Sequence, residues 1–345
     1  MKAWLWFLAG REARSNLMAC LVPLQTCLDD ALSACAAVQS ERMALDKALG
    51  AVLADALCLP SDIPVQAQAL RAGYAVAALD LMGASTSLPI PLGKSVYVKP
   101  GDALPEGCDA VLPATFTEEG MAGPEAVQSL GPGEGVRRAG HDGRAGSVLV
   151  QAGCTFDARQ ALAAAIAGIS SVTVRRPRVR LALKDPLQAQ LISRWAQSLG
   201  GHQVSHGGDL IIRTVDEPSP RLAFAPADTA WLENTGVGLV LHLPARFDGF
   251  LAGLFGLGIP ALQHLCGARA RQQSRPVIRK ITSSVGMAEL VLVAEHAAGW
   301  APFPTATLSL HTIAQAAGYA IIPAESEGLS AGEILAATSF DQPFG

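Results

Sequence analysis

The feature that most constrains the fold of this 345-residue chain is a change of hydrophobic period near residue 179. From there to residue 265, short apolar runs alternate with stretches whose apolar residues recur at helical spacing. Strands that alternate with helices are typical of a parallel sheet with crossover helices. The sequence therefore predicts an α/β domain with strands and helices at 179–183, 186–199, 210–213, 238–243, 247–254 and 261–265.

The first third of the chain and a later segment show helical spacing without intervening strands. Apolar residues recur at this spacing in residues 24–38, 44–57 and 158–169, which predicts three helices. Asp157 directly precedes the third segment, where an aspartate can cap the first turn of a helix.

Two further regions have the texture of β structure. Residues 89–117 are rich in Val, Pro and Gly, which indicates a small β-rich module. After Arg275 the pattern is again that of strands, and residues 277–283 and 288–294 are expected to form a hairpin. A short helix is predicted at 311–318. The order of textures along the chain is therefore β, α/β and β.

Composition excludes several classes of protein. Half of the residues are hydrophobic and 16% are charged, whereas disordered chains need low hydrophobicity and high net charge. The formal net charge of −4 gives no basic field for a phosphate backbone, so no nucleic acid is expected as a partner. The seven cysteines are widely spaced and form no C-x-x-C pair. A disulfide framework and a zinc site are therefore not expected.

The N-terminus does not have the pattern of a secretory signal. The apolar run at residues 3–9 is followed at once by Arg11, Glu12 and Arg14, whereas a signal places its charge before the apolar run. No run of about 18 apolar residues suggests a membrane-spanning helix. We expect a cytoplasmic protein that does not associate with a membrane.

Five short motifs, in order along the chain, resemble the MoeA family of molybdopterin molybdenumtransferases. They correspond to the family's "MDGYAV", "LPEGADAV", "NVRRRGEDIRAGEVLL" and "PEGTEGLEAGE" patterns and to a first segment that precedes them. In this chain they are ERMALDKALGAVLADAL (41–57, followed by Pro60, Asp62 and Pro64), GYAV (73–76), LPEGCDAV (104–111), GVRRAGHDGRAGSVLV (135–150) and PAESEGLSAGE (323–333).

This resemblance implies a multi-domain α+β fold with one α/β domain and an elongated MoeA-like architecture. Its four parts would be a split linker and dimerisation domain, an inserted β-rich domain, a molybdopterin-binding-like α/β domain and a C-terminal β-barrel domain. The corresponding ranges are 1–62 plus 133–176, 63–132, 177–270 and 271–345. The resemblance also implies a homodimer, a molybdopterin-type ligand, Mg²⁺ as a cofactor and insertion of molybdate into adenylated molybdopterin.

Four of the family's ligand-binding motifs depart from the pattern here. In the signature "FDNSAMDGYAV" the two aspartates are replaced by Ala67 and Ala72, the serine by Ala69, and Arg71 adds a positive charge. The family's "STGDE" loop aligns with residues near 183–186, which contain no Gly or Ser, and its "SGGVSVGD" loop is replaced by residues 213–217. Its "GLPGNPVSA" loop aligns with residues 242–248, without the second Pro.

The arginine-rich turn keeps the family's residues and supplies the first set of candidate site residues. These are Asp142 as the catalytic residue, with Arg137, Arg138 and Glu106 as ligand-binding residues. The resemblance implies their place near a dimer cleft. An ion pair between Arg137 and Asp142 that only orders the turn is the alternative interpretation.

A second set lies where the predicted α/β strands end, because the carboxyl ends of strands face the ligand crevice in open α/β sheets. A solvated charged rim is the alternative interpretation of these charges. The set comprises the ligand-binding candidates Lys184, Asp185, Asp216 and Arg246, together with Arg213 and Glu217. The seven histidines do not cluster, and we expect no metal ligands among them.

Three functions fit these observations. The first is a role in molybdenum cofactor biosynthesis as a transferase of the MoeA type. The second is a non-catalytic dimeric scaffold or assembly protein that presents the fold to a partner enzyme. The third is an enzyme for another anionic ligand, in which Arg71, Lys184, Arg213 and Arg246 would converge on one pocket.

Overall fold

The computed structural model describes residues 21–215 and 221–340. The described chain forms two compact units. The first comprises residues 21–56, 151–161 and 171–340, and the second comprises residues 57–150 and 162–170. The fold is multi-domain and mixes helices with sheets, as predicted. The four-part division of the chain stays a prediction.

The helices within the described ranges are α1 Leu24–Leu32, α2 Ala158–Ile166, α3 Pro186–Ser198, α4 Phe247–Gly253, α5 Ile259–Cys266 and α6 Leu310–Gln315. A π-helical turn, Leu254–Gly258, joins α4 to α5, and two 3₁₀ turns span Ala78–Leu81 and Ala114–Phe116.

The strands of the first half of the chain are β1 Val22–Pro23, β2 Glu41–Ala44, β3 Val52–Leu53, β4 Leu57–Cys58, β5 Gln68–Ala69, β6 Gly73–Val76, β7 Ser85–Pro91, β8 Val96–Val98, β9 Ala110–Leu112, β10 Thr117–Gly120, β11 Gly123–Gln128, β12 Val136–Arg137, β13 Val148–Val150 and β14 Ser171–Arg175. Those of the second half are β15 Arg178–Ala182, β16 His202–Gln203, β17 Leu210–Val215, β18 Leu222–Ala225, β19 Trp231–Asn234, β20 Leu239–Pro244, β21 Gln272–Pro276, β22 Ile281–Thr282, β23 Ala288–His296, β24 Gly299–Pro302, β25 Gly318–Ile322, β26 Gly328–Leu329 and β27 Ile334–Ser339.

A five-stranded sheet in the order β16-β15-β17-β20-β19 confirms the α/β prediction. The first four of these strands are parallel, and β19 is antiparallel to β20. Leu210 is in register with Val179 on one side and Leu239 on the other, and all three are buried. One face of the sheet therefore carries a continuous apolar layer.

Helix α3 begins and ends where the sequence indicates. Asp185 is its N-cap, since the carboxylate accepts from the backbone N–H groups of Leu187 and Gln188, and Pro186 occupies the first helical position. The chain leaves the helix through Gly200, whose φ of +85° suits glycine.

The buried core of the first unit contains residues of α1, α3, α4, α5 and the apolar sheet face. Two glycines allow close packing here: a Cβ on Gly253 would lie 2.5 Å from Leu243, and one on Gly256 would lie 2.4 Å from the Phe224 ring. In the described ranges, residues 247–266 form the one helical stretch long and apolar enough to cross a membrane, and 78% of its most apolar window is buried inside the protein.

A seven-stranded sheet joins strands from distant parts of the first unit, in the order β1-β18-β23-β25-β27-β21 with β24 beside β23. The predicted hairpin of 277–283 with 288–294 is wrong. Strand β23 instead pairs with β24 and β25. The reason is local, because only two residues separate His296 from Gly299, and this short turn closes a hairpin between them.

The helix predicted at 44–57 is also wrong, since the segment forms β2, a turn and β3. Both strands pair with β14, where Met43 faces Val172 and Leu53 faces Val174. Gly50, at a φ of +79°, interrupts any helix. Long-range pairing has overridden a helical pattern, which is a common outcome for short amphipathic segments.

The second unit contains several small sheets, in agreement with the β-rich module predicted at 89–117. Its three-stranded sheets have the orders β10-β11-β7 and β8-β6-β9, and two-stranded pairs are formed by β12 with β5 and β13 with β4. Gly73 allows the closest approach, because a Cβ there would lie 2.1 Å from the Leu112 carbonyl oxygen.

Five cysteines of the described ranges are free: Cys27, Cys35, Cys108, Cys154 and Cys266. Cys27 and Cys266 are buried, whereas Cys58 is exposed, and Cys20 lies outside the described residues. Burial raises the pKa of the Cys266 thiol to about 12, with the nearby Arg175 opposing the shift. That thiol is therefore protonated and unreactive at neutral pH.

Candidate functional site

The arginine-rich turn of the second unit brings two of the predicted residues together. Nε of Arg137 donates to Oδ1 of Asp142 at 2.9 Å, and a terminal nitrogen lies 2.5 Å from Oδ2. Both carboxylate oxygens of Asp142 thus face one guanidinium, the two-point geometry in which arginine holds carboxylates most firmly. The pair is partly exposed, with 44% and 30% of the side chains accessible.

Backbone hydrogen bonds fix this turn against residues 62–64. Asp142 donates its N–H to the Ile63 carbonyl and Ile63 donates to the Gly143 carbonyl, both at 2.8 Å. The Asp62 carboxylate accepts from the Ala145 N–H at 2.8 Å. The ion pair therefore lies on a well-anchored turn.

The strand of the altered family signature lies beside the same turn. Strand β12 pairs with β5, with Arg137 in register with Gln68. Arg71 follows this strand, and its Nε donates to the Val111 carbonyl at 3.0 Å. One terminal nitrogen of Arg71 is buried without a hydrogen bond and lies 3.9 Å from Glu134. Two arginines, Arg71 and Arg137, thus lie next to strand β5, one after it in the chain and one on the paired strand.

Arg138 and Glu106 have different surroundings. Arg138 lies over Gly133, where a Cβ would be 2.9 Å from its terminal nitrogen. Glu106 lines a cavity of about 390 Å³ together with Asp80 and Lys94, and neither Arg137 nor Asp142 lines it. Cys108 lies in the same cavity, and burial, with Asp109 and Asp80 nearby, raises the pKa of its thiol.

The charged residues at the carboxyl ends of the parallel strands take different protein partners. The Asp185 carboxylate is directed at the N-terminus of α3. Arg246 donates to the Pro226 carbonyl at 2.8 Å and pairs with Asp248 at 2.6 Å. Lys184 is exposed, and Asp216 and Glu217 lie outside the described residues.

Arg213 belongs to an array of three side chains that the sequence analysis missed. Its Nε lies 3.2 Å from Nδ1 of His242, and Nε2 of His242 lies 2.8 Å from Oε1 of Glu233. The strand register explains this, because Arg213 and His242 are direct neighbours on β17 and β20. A signal was present, since His242 is the one polar residue in an otherwise apolar strand, and a buried polar group needs partners.

The four cations proposed for another anionic ligand therefore do not share partners. Arg71 belongs to the second unit, whereas Lys184, Arg213 and Arg246 belong to the first. Within the first unit, Arg213 is directed at His242 and Arg246 at Pro226 and Asp248.

A cavity of about 870 Å³ lies at the opposite end of the five-stranded sheet. It is lined by residues that include Arg178 and Asp209, which form an ion pair of 2.9 Å. Burial raises the pKa of Asp209, but the hydrogen bonds and charge of Arg178 outweigh it, so the pKa lies below its ordinary value.

The donor set for Mg²⁺ is incomplete on the protein side. Mg²⁺ prefers carboxylate and other oxygen ligands in octahedral geometry. Throughout 21–215 and 221–340, no group of three or more His, Cys, Asp or Glu side chains is placed to hold a metal ion. Asp142 directs both carboxylate oxygens at Arg137. The described side chains alone therefore do not fit this ion.

Comparison with known proteins identifies relatives for this arrangement. Residues 13–168 match the family described as the MoeA N-terminal region (domain I and II). Molybdopterin molybdenumtransferase 1 of Mycobacterium tuberculosis is 30% identical over 215 residues, which are 62% of this chain and 46% of that protein. Molybdopterin molybdenumtransferase 2 of the same species is 30% identical over 127 residues, 32% of this chain and 31% of that protein. The aligned part of this chain thus spans less than half the length of these relatives.

A solved structure extends the similarity to most of the chain. The molybdopterin biosynthesis MoeA protein of Pyrococcus horikoshii OT3 matches with a TM-score of 0.75 and 18% identity. The match covers 92% of this chain and all of that one. At this identity the likeness establishes the fold, which is the MoeA architecture that the motifs predicted.

Proposed function

We propose that this chain is a MoeA-like protein that acts in molybdenum cofactor biosynthesis and holds a molybdopterin-type ligand. The observation that carries the proposal is the retained arginine-rich turn, anchored beside the altered signature strand inside the region that matches the family. Molybdopterin carries a phosphate, and guanidinium groups are the side chains best suited to phosphate oxygens.

In this proposal the Arg137–Asp142 ion pair is the part of the site that rearranges when the ligand binds. A ligand phosphate or molybdate oxygen competes with the Asp142 carboxylate for the Arg137 guanidinium. When the oxyanion takes that position, Asp142 is released as an acid or base for the reaction. Arg138 supplies a further positive charge next to Arg137 in sequence, and Mg²⁺ would enter with the oxygens of the ligand because the described side chains do not hold it alone.

A second function, a non-catalytic dimeric scaffold or assembly protein, is favoured by specific observations. Ala67 and Ala72 stand in place of two family aspartates, and the Asp142 carboxylate is engaged by Arg137. The Asp185 carboxylate occupies the N-terminus of α3, a position at which an α/β protein could hold a ligand anion. Such a protein keeps the framework and serves a partner enzyme of cofactor assembly.

Calorimetric titration separates these functions. Purified protein is titrated with molybdopterin and with its adenylated form, each with and without Mg²⁺ and molybdate. We expect binding with a Kd near 1 μM, about −8 kcal/mol, and loss of at least tenfold in affinity in Arg137→Ala. The transferase function further requires metal insertion that Asp142→Ala abolishes and the exposed-acid control Glu118→Ala retains.

Other outcomes decide between the alternatives. Ligand binding without metal insertion would favour the scaffold or carrier function. Absence of binding under every condition would contradict both the transferase and the ligand-holding role. The homodimer, the partner enzyme and the cytoplasmic location belong to the same proposal and need their own measurements.

A further inference from the structure

We propose that Arg213 and Arg180 form an oxyanion site on one face of the five-stranded sheet and take a small phosphate-bearing molecule, with Arg213 oriented by His242 and Glu233. The proposal concerns residues outside the arginine-rich turn. It does not depend on whether the natural ligand is a molybdopterin.

Strand register places the two arginines on the same face. Arg180 is in register with Ile211 on β17, and Arg213 follows two residues later on that strand. Residues two apart on a strand point to the same face, so Arg180 and Arg213 are diagonal neighbours. Parallel strands lie about 4.8 Å apart and rise about 3.3 Å per residue, so the two Cα atoms are roughly 8 Å apart, within reach of long side chains. One phosphate group can therefore accept from both guanidiniums.

The hydrogen bonds around His242 define the orientation of Arg213. An arginine Nε–H can only donate, so Nδ1 of His242 is the acceptor of the 3.2 Å contact. The Nε2 atom then carries the proton and donates to Glu233 at 2.8 Å. His242 is 9% exposed, so this ring is fixed by its surroundings. Glu233 therefore orients His242, and His242 orients Arg213.

Arg180 adds a second charge whose hydrogen bonding is incomplete. Its Nε is buried and, among the described residues, has no hydrogen-bond partner. Leaving a charged donor buried without an acceptor is costly, and a ligand oxygen would remove that cost. Ala182, in register with Arg213, is small and exposed, which leaves space beside the guanidinium.

The nearest helix N-terminus is unfavourable for an anion, which supports a binding site on the sheet face instead. In α/β folds an anion commonly binds at the N-terminus of the helix that follows a strand. Here the Asp185 carboxylate accepts from the first N–H groups of α3. An incoming anion would be repelled there, whereas the arginines of the adjacent sheet face would attract it.

Titration of the whole chain with sodium pyrophosphate at low salt tests the proposal. Arg213→Ala and Arg180→Met should each weaken binding at least tenfold. Arg194→Ala removes the same charge from an exposed position of α3 and should change affinity less than twofold. Equal losses in all three variants, or no binding to the wild-type chain, would overturn the site.

The role of His242 is tested by two substitutions. His242→Gln keeps an oxygen that can accept from Arg213 and an amide that can donate to Glu233, so it should retain affinity within threefold. His242→Ala should lose at least tenfold, with folding checked by thermal melting. If the glutamine variant is folded and as weak as the alanine variant, His242 does not orient Arg213.

The same titrations distinguish this inference from the proposed function. Pyrophosphate binding through Arg213, without any molybdopterin binding, would uphold the sheet-face site and contradict the cofactor role. Molybdopterin binding that is unchanged in Arg213→Ala, together with no pyrophosphate binding, would uphold the cofactor role and contradict the sheet-face site.

Discussion

At the scale of single residues, three arginines of this protein are held by protein acceptors. Arg71 and Arg137 flank the altered signature strand, and Arg213 lies on the α/β sheet. Each donates to a protein acceptor in the structure, which orders the side chain before any ligand arrives. Ordered guanidiniums lose less conformational entropy on binding, so this arrangement favours recognition of anions.

The Arg178–Asp209 pair makes the stability of the first unit depend on pH in a defined direction. The pKa of Asp209 is lowered in the folded chain, so the carboxylate stabilises the fold above its unfolded pKa of about 3.9. This contribution is lost as the pH falls through the lower, folded value.

Asp209→Asn should therefore lower the free energy of unfolding at pH 7 by about 1 kcal/mol, the net value of one hydrogen bond. Urea unfolding at a series of pH values measures the difference between wild type and variant. The difference should begin to shrink below about pH 4, where Asp209 of the unfolded chain becomes protonated, and shrink further as the pH falls through the lower pKa of the folded chain. A difference that stays constant from pH 7 to pH 3 would mean that the charge of Asp209 contributes nothing.

At the scale of elements, local capping and long-range pairing decide different parts of the fold. Asp185 and Pro186 mark the start of α3 in the sequence, and the helix begins there. By contrast, residues 44–57 carry a helical pattern but form strands against β14. The capping residues act on their own turn, whereas the strands depend on a partner more than a hundred residues away.

The cap of α3 can be tested separately from the ligand sites. Asp185→Ala removes the acceptor for two backbone N–H groups and should lower the free energy of unfolding by about 1 kcal/mol. Asp185→Ser keeps a capping oxygen and should recover most of the loss. Thermal or urea unfolding provides the measurement, and equal stabilities of the alanine variant and wild type would contradict the capping role.

Asp185→Ala also bears on the anion sites of the first unit. Removing the carboxylate uncovers the positive end of the α3 dipole, which attracts anions. Pyrophosphate affinity should therefore stay equal or rise in this variant. A clear fall would mean that Asp185 itself supports the ligand, as the sequence analysis proposed.

At the scale of the whole molecule, the chain shares the MoeA architecture with a solved structure of distant sequence. The structural match covers 92% of the chain, although identity is only 18%. Buried apolar positions tolerate substitution as long as volume and pattern are kept. Loops that bind a ligand need particular side chains, so an architecture can persist while its ligand site changes.

The proposed homodimer gives a prediction at this scale. Light scattering coupled to size exclusion should give twice the chain mass of 35.7 kDa. The mass should hold across micromolar concentrations if the interface resembles an obligate one, because such interfaces are large and apolar. A mass of one chain at all concentrations would contradict the dimer and, with it, the dimeric scaffold function.

The sequence by itself determined the secondary-structure type of most regions and the resemblance to the MoeA family. Periodicity was sufficient for β15, α3, β17, β20 and the helices that follow, because a helix or strand in a packed core must show its buried face in the local pattern. Short motifs that depend on a glycine could also be recognised in the sequence. Gly73 is an example, because the Leu112 carbonyl of β9 lies so close to its Cα that no side chain fits.

The tertiary structure alone decided which charges meet. Sequence spacing could not show that Arg213, His242 and Glu233 form one array, since they come from three strands brought together by register. It also could not separate Glu106 from Asp142, although it did offer the ion pair of Arg137 with Asp142 that the structure contains. Side-chain partners depend on long-range pairing, and pairing is a property of the whole core rather than of any local segment.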